Sequence, residues 1–217
     1  MGRYIGPSCR LCRSEHQQLF LKGDRCLSAE KCPITKKISS LRKRPPGEVK
    51  KTRLNKLSNY GMQLREKQRV KRIYGVLERQ FKRFYSIAEK KKGVTGLNLI
   101  NLLEFRLDNI IYRMHFASSR KQARQLIRHE HVLLNGRKMS IPSHIVKIND
   151  DIEILNKSKK FELILQSLKR VSSDGVISWL SVDADKAVGK VLSLPIREEI
   201  PELTRINEQL IVELYSK

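Results

Sequence analysis

The chain has 217 residues, with 45 Lys plus Arg against 22 Asp plus Glu, a formal net charge of +23 and 40% hydrophobic residues. A surface this basic repels itself unless a polyanion neutralises it, and nucleic acid is the commonest cellular polyanion. The apolar content allows a modest core and excludes disorder throughout, and no apolar run approaches the ~20 residues that span a bilayer.

The charge is uneven: residues 1–100 hold 26 basic and 7 acidic side chains, residues 101–217 hold 19 and 15. The opening MGRYIGPSCR lacks the apolar centre of a signal peptide, and Gly6 stands where a myristoylation motif needs Ser or Thr. The expected location is therefore cytosolic or an organellar equivalent. In such a reducing compartment cysteines point to metal before disulfide.

Cys9, Cys12, Cys26 and Cys32 follow the spacing C-x2-C-x13-C-x5-C. Two pairs, each able to pinch a metal from one loop, suit a closed tetrahedral zinc site. A short segment with few apolar residues cannot fold on burial alone, and zinc supplies the missing stability. The expected metal is structural, with one site and no open position for substrate; four thiolates leave no need for His16.

LRKRPPGEVKKTR (41–53) then reads as an extended basic connector broken by Pro45-Pro46-Gly47. From Asn59 to about Lys92, Leu64, Val70, Ile73, Leu77, Phe81 and Phe84 recur at helical spacing, with a basic stripe of Arg65, Arg69 and Arg72. Gly75 divides this stretch into two helices. Thr95 is placed to cap a helix through Leu103.

In FRLDNIIYRMHF (105–116) the apolar face is Leu107, Ile110, Ile111 and Met114. Ser118 and Ser119 offer a cap for a helix from Arg120 to about Glu130, with Ala123, Leu126 and Ile127 inside and Arg120, Lys121, Arg124 and Arg128 outward. HVLLNGRKM (131–139) is a hairpin about Asn135-Gly136. IVKINDDIEI (145–154) is read as a second hairpin turning at Asn149-Asp150. Phe161–Val171 is amphipathic, Ser178–Val182 suits a strand around Trp179, and Asn207–Tyr215 suits a final helix. Tyr4, Tyr60, Tyr74, Tyr85 and Trp179 can stack on bases but are more often core. His115, His129, His131 and His144 show no nucleophile partner, and no catalytic module is visible.

RLDNIIYRM (106–114) with SRKQARQLIRHEHVLLNGRKM (119–139) resembles the small α/β RNA-binding domain first named for ribosomal small-subunit protein number four. NYGMQLREKQRVKRIYGVLERQFKRFY (59–85), GRYIGP (2–7) and INEQLIVELYSK (206–217) resemble the bacterial-type family of that ribosomal protein along essentially the whole chain, in its zinc-bearing branch. Where members often read Pro-Pro-Gly-Gln-His-Gly, this chain has PPGEVKKTR, which keeps the basic character.

The resemblance implies an α+β fold, with a zinc-bound N-terminal segment, a helical domain and an inserted small α/β domain of two helices and antiparallel hairpins. The expected divisions are 1–44, 45–104, 105–170 and a C-terminal 171–217 packed on the helical domain. It also implies a non-enzymatic constituent of the small ribosomal subunit that binds 16S rRNA, nucleates assembly of the subunit body and contributes to accuracy. The implied partners are small-subunit protein number five and messenger RNA at its entrance channel. A free RNA chaperone or ribosome-rescue factor carrying the same small domain is the alternative.

Arginine and lysine would act by neutralising phosphates and releasing counterions. The expected contacts in the small domain are Arg106, Arg113, Arg120, Lys121, Arg124 and Arg128, with Ser119, Gln122, Gln125 and Asn135 beside them. Those of the helical segment are Arg65, Lys67, Arg69, Lys71, Arg72, Arg79, Lys82 and Arg83, of which about half are expected to be solvated or paired with Glu66 and Glu78. Arg3, Arg42, Lys43, Arg44, Lys50, Lys51 and Arg53 complete the set.

Overall fold

The computed structural model describes residues 2, 4–35, 46–47, 57–204 and 206–216. The expectations for Arg3, Arg42, Lys43, Arg44, Lys50, Lys51 and Arg53 lie outside the described residues. Two compact units emerge: Met1–Leu99 with Pro201–Lys217, and Ile100–Ile200.

The first unit begins with two short helices in the cysteine segment, α1 (Ser8–Ser14) and α2 (Asp24–Leu27). Its main helices are α3 (Asn59–Ile73) and α4 (Glu78–Glu89). Ser58 caps α3 by accepting from the Gly61 N–H at 3.2 Å. Gly75 lies between α3 and α4 at φ 58°, a left-handed conformation that glycine adopts without strain. Val70, Ile73 and Phe81 are buried, as their periodicity predicts, and Tyr85 and Ala88 join them; Leu64 and Phe84 are only half-buried, and Leu77, which precedes α4, is exposed.

Helix α5 (Thr95–Glu104) carries the chain across the unit boundary; Thr95 is its first residue rather than a residue before it. The last helix, α9 (Glu208–Tyr215), is capped by Asn207, whose side chain accepts from the Gln209 N–H at 3.0 Å. It returns to pack along α3. Gln63 Nε2 donates to Glu213 Oε2 at 2.9 Å, and the Tyr215 ring stacks on Tyr85 with centroids 4.5 Å apart. A Cβ on Gly96 would stand 2.9 Å from the Glu208 Cβ, so a small residue permits this approach of α5 and α9.

The second unit pairs α6 (Leu107–Arg113) with α7 (Arg120–Arg128). Ser119 caps α7 through the Gln122 N–H at 3.3 Å. Five strands follow among the described residues: β1 (Val132–Leu134), β2 (Arg137–Lys138), β3 (Asp151–Ile154), β4 (Leu180–Asp183) and β5 (Val188–Val191). They form an antiparallel sheet in the order β2-β1-β3-β5-β4. Helix α8 (Glu162–Asp174) buries Ile164 and Leu168. The core gathers Leu107, Ile110, Ile111, Met114, Ala123, Ile127, Val132, Ile152, Ile154, Trp179 and Val191 from both helices and the sheet.

The hairpin at Asn135-Gly136 forms as read, with both residues at positive φ. Three expectations need correction. Ile145–Ile154 is not a hairpin: Ile145 bridges to Arg106, the Asn149 N–H donates to the Val191 carbonyl, and β3 pairs with β1 and β5. The small domain does not close at residue 170, because β5 must supply the partner of β3. The segment packed on the helical unit accordingly begins at Pro201 rather than at 171.

Candidate nucleic-acid interface

The basic residues fall into two groups: those that buried carboxylates hold inside, and those left at the surface. In the second unit Glu104 and Asp108 are both almost fully buried. Arg113 makes a bidentate contact to Glu104, from Nε and Nη2 at 3.0 Å each. Arg106 grips Asp108 in the same way, at 3.1 and 2.8 Å, and Arg124 Nε donates to Asp108 Oδ2 at 2.6 Å. Asn109 donates to Glu104 and accepts from Arg120 Nε at 2.8 Å; the Arg120 guanidinium also lies 4.4 Å from the centre of the Tyr112 ring. Buried charge is tolerated when paired and hydrogen-bonded in this manner.

The expectation that Arg106 and Arg113 present themselves to phosphate is therefore corrected: both guanidiniums are enclosed. Arg120 and Arg124 are not outward either. Residues four apart on a helix advance by about 40° around its axis, so Arg120, Arg124 and Arg128 spread over a wide arc. The first two flank Ala123 and Ile127 and turn toward α6. The exposed line of α7 is Lys121, Gln125 and Arg128. Gln122 accepts from both the N–H and the hydroxyl of Ser118, at 2.7 and 2.6 Å. Asn135 bridges Asp150 and the Asp151 N–H, at 2.9 Å each. These two side chains, like Ser119, shape turns and caps.

In the first unit Glu15 is 2% exposed. It forms ion pairs with Arg65 at 3.6 Å, Arg69 at 3.8 Å and Arg72. Ser14 adds to the grip: its hydroxyl accepts from Arg72 Nη1 at 2.6 Å and its carbonyl from Arg65 Nη1 at 3.2 Å. Arg69 also pairs with Glu66. On another side of α3, Lys67 and Lys71 donate to Glu78 at 2.8 and 3.0 Å, and the Tyr215 hydroxyl donates to the same carboxylate at 3.0 Å. Burial alone would raise the Glu78 carboxyl; those three hydrogen bonds outweigh it and hold the group down at about 2. Burial, then the Glu78 contact, pushes Tyr215 well above the usual phenol range, so its proton stays in place.

Arg79, Lys82 and Arg83 are arranged differently. They lie on one face of α4, opposite the buried Phe81, Tyr85 and Ala88, and all three are exposed. They form no ion pair or hydrogen bond of their side chains with the described residues. Neither Glu15 nor Glu104 belongs to a periodic pattern or motif of the sequence, yet each is a buried carboxylate that holds arginine. The signal of Glu15 is isolation: it is the sole acid before Asp24, in a segment full of basic residues.

The four cysteines are all free of disulfides, and Cys12, Cys26 and Cys32 are buried. Among the described residues no group of three or more His, Cys, Asp or Glu side chains is set to hold a metal ion. Burial pushes Cys12 up to about 11, a Leu19 backbone hydrogen bond opposes this, and Cys26, Cys9 and Cys32 add to the rise. Burial raises the Cys26 thiol too, against the Lys22 N–H, which points at its sulfur at 3.3 Å and favours thiolate. In donor type the set fits zinc. Tyr74, Tyr85 and Trp179 are core residues, while Tyr4 and Tyr60 are exposed.

Comparison with known proteins agrees along the whole chain. Residues 3–104 match the family described as ribosomal protein S4/S9 N-terminal domain, and residues 105–152 match the S4 domain. The chain is 53% identical to the small ribosomal subunit protein uS4 of Trichlorobacter lovleyi, 52% to that of Caldicellulosiruptor bescii and 54% to that of Geotalea daltonii. Each match extends over 217 residues and 100% of both chains.

Proposed function

The chain belongs to the uS4 family of small ribosomal subunit proteins, a structural and non-catalytic family, and from that membership we propose that it binds 16S rRNA directly and helps nucleate assembly of the subunit body. The observation that carries the binding mechanism is the face of Arg79, Lys82 and Arg83 on α4, exposed and without an internal partner among the described residues. Lys121 and Arg128 supply exposed cations on α7. Cations on a fixed helix face neutralise successive phosphates and release their counterions. Recognition is by backbone and shape, since A-form RNA hides its major-groove edges.

Cys9, Cys12, Cys26 and Cys32 are the proposed holders of one structural zinc ion, whose chemistry is to cross-link a segment with little apolar surface to bury. Contact with small-subunit protein number five, nearness to messenger RNA at its entrance and a contribution to accuracy complete the proposal.

The test measures binding to a 16S rRNA transcript across a salt series. Replacing Arg79, Lys82 and Arg83 together by Gln is expected to weaken binding and flatten the salt slope by about 2 units. An unchanged slope rejects this face as the contact. Salt-washed small subunits should retain the chain stoichiometrically; substoichiometric, salt-labile association instead favours a free chaperone or rescue factor.

A further inference from the structure

We propose that Glu15 is a positioning residue for RNA: a buried carboxylate that converges Arg65, Arg69 and Arg72 into one phosphate-binding site on α3. The inference rests on the reading of the chain as an RNA binder and adds a residue with no RNA contact of its own. Three guanidiniums on successive turns of one helix face repel one another and fan apart when nothing draws them together. Glu15 is the acid common to all three, while Glu66 adds a pair with Arg69 alone. Three positive charges against these two carboxylates leave an excess of one positive charge.

Two features make this an anchor beneath a site rather than a closed salt bridge. The Glu15 side chain is 0% exposed, whereas those of Arg65, Arg69 and Arg72 are 43%, 27% and 23% exposed. A phosphate arriving from solvent therefore meets guanidiniums and cannot displace the carboxylate behind them. Each guanidinium carries five N–H donors, and the hydrogen bonds to Ser14, Glu15 and Glu66 are made through a single Nη1 nitrogen of each arginine. The outer donors of Arg65 and Arg72 keep capacity for an anion. Holding the forks in place beforehand removes the ordering cost at the moment of binding.

The test compares four chains: the parent, E15Q, the triple variant R65Q/R69Q/R72Q and the quadruple variant carrying all four changes. Each is titrated with a 16S rRNA transcript and with poly(U) over a salt series, and α3 amide protection is followed alongside. The quadruple variant guards against misfolding of the triple, which leaves Glu15 buried without a counter-charge. E15Q is expected to lose about tenfold in affinity for the folded transcript while binding poly(U) at least as tightly as the parent, because a flexible polyanion responds to net charge and E15Q makes the chain more positive by one. The triple and quadruple variants should share a salt slope shallower than the parent's by about 2 units. The quadruple should bind the transcript no worse than the triple, because Glu15 has nothing left to position.

If E15Q binds the transcript as tightly as the parent while the triple variant weakens, the positioning role is overturned and the RNA-binding reading stands. The positioning role also fails if E15Q weakens binding equally in the triple background, because its effect is then general stability. If the triple and quadruple slopes equal the parent's, α3 meets no phosphate, and the inference falls with that part of the reading.

Discussion

Asp108 holds two arginines at once, Arg106 in a bidentate grip and Arg124 through Nε, and both the carboxylate and Arg106 are nearly sealed from solvent. Removing one partner of such a set leaves an uncompensated buried charge. D108A is expected to cost about 3–5 kcal/mol, read as a lowered denaturant midpoint of the full chain. R124A leaves the Arg106 pair in place and should cost clearly less. Gly189 is constrained by space rather than by backbone angle. A Cβ there would stand 2.5 Å from the Met114 sulfur and 3.2 Å from the Ser181 carbonyl. Met114 is fully buried and β4 is the adjoining strand, so G189A should destabilise by about 1–3 kcal/mol on the same measurement. Glu78 brings a pH dependence. Its carboxyl ordinarily titrates at 4.5 and is held at about 2 in the fold. A depressed carboxyl contributes stability that is present above pH 4.5 and lost as the pH falls toward 2. Y215F keeps the ring but removes one hydrogen bond to Glu78, so its acid unfolding limb should move to higher pH.

At the scale of elements, the cysteine segment and the small domain differ in what holds them. Helices α1 and α2 have few buried apolar side chains, whereas α6, α7 and the sheet share a continuous core. Purified chain is expected to carry one zinc ion by elemental analysis, and C12S should lose it. Chelation should release amide protection in α1 and α2 while leaving β1, β3 and β5 protected. Most elements could be read in the sequence because apolar periodicity survives whatever the tertiary context does. Leu107, Ile110, Ile111 and Met114 announce α6, and Asn135-Gly136 announces its turn. The inward arginines could not be read that way, since periodicity assigns a charged residue to the outer face by default. A subtler signal was present: Glu104 and Asp108 sit in NLLEFRLDNII, where an acid among apolar residues is destined for burial and must find a cation. The Ile145–Ile154 alternation misled because β3 takes its neighbours from strands distant in sequence, which a local pattern cannot show. Of the candidate interface, composition revealed that cations dominate; which of them remain outward depended on three buried carboxylates.

For the whole molecule, the first unit is discontinuous: residues 201–217 complete what residues 1–99 begin. Helix α9 binds the older segment through Gln63–Glu213, Tyr85–Tyr215 and the Glu78 hydrogen bond from Tyr215. A chain ending at Asn207 should lose amide protection in α3 and α4 by hydrogen exchange. The sheet of residues 132–191 should keep its protection, because its core draws on none of the deleted residues. Weakened 16S rRNA binding should accompany that loss, since both proposed cationic faces of the unit lie on α3 and α4.

A nascent polypeptide leaves its site of manufacture in one direction, so the order of chain segments becomes an order in time. Residues 100–200 acquire every strand of their sheet while the helices made before them still lack a seam partner. Only residues 201–217, translated after the sheet, close that seam. The helical half is thus finished later than the sheet half, and a product truncated before α9 is denied a completed docking platform by the path of its own backbone.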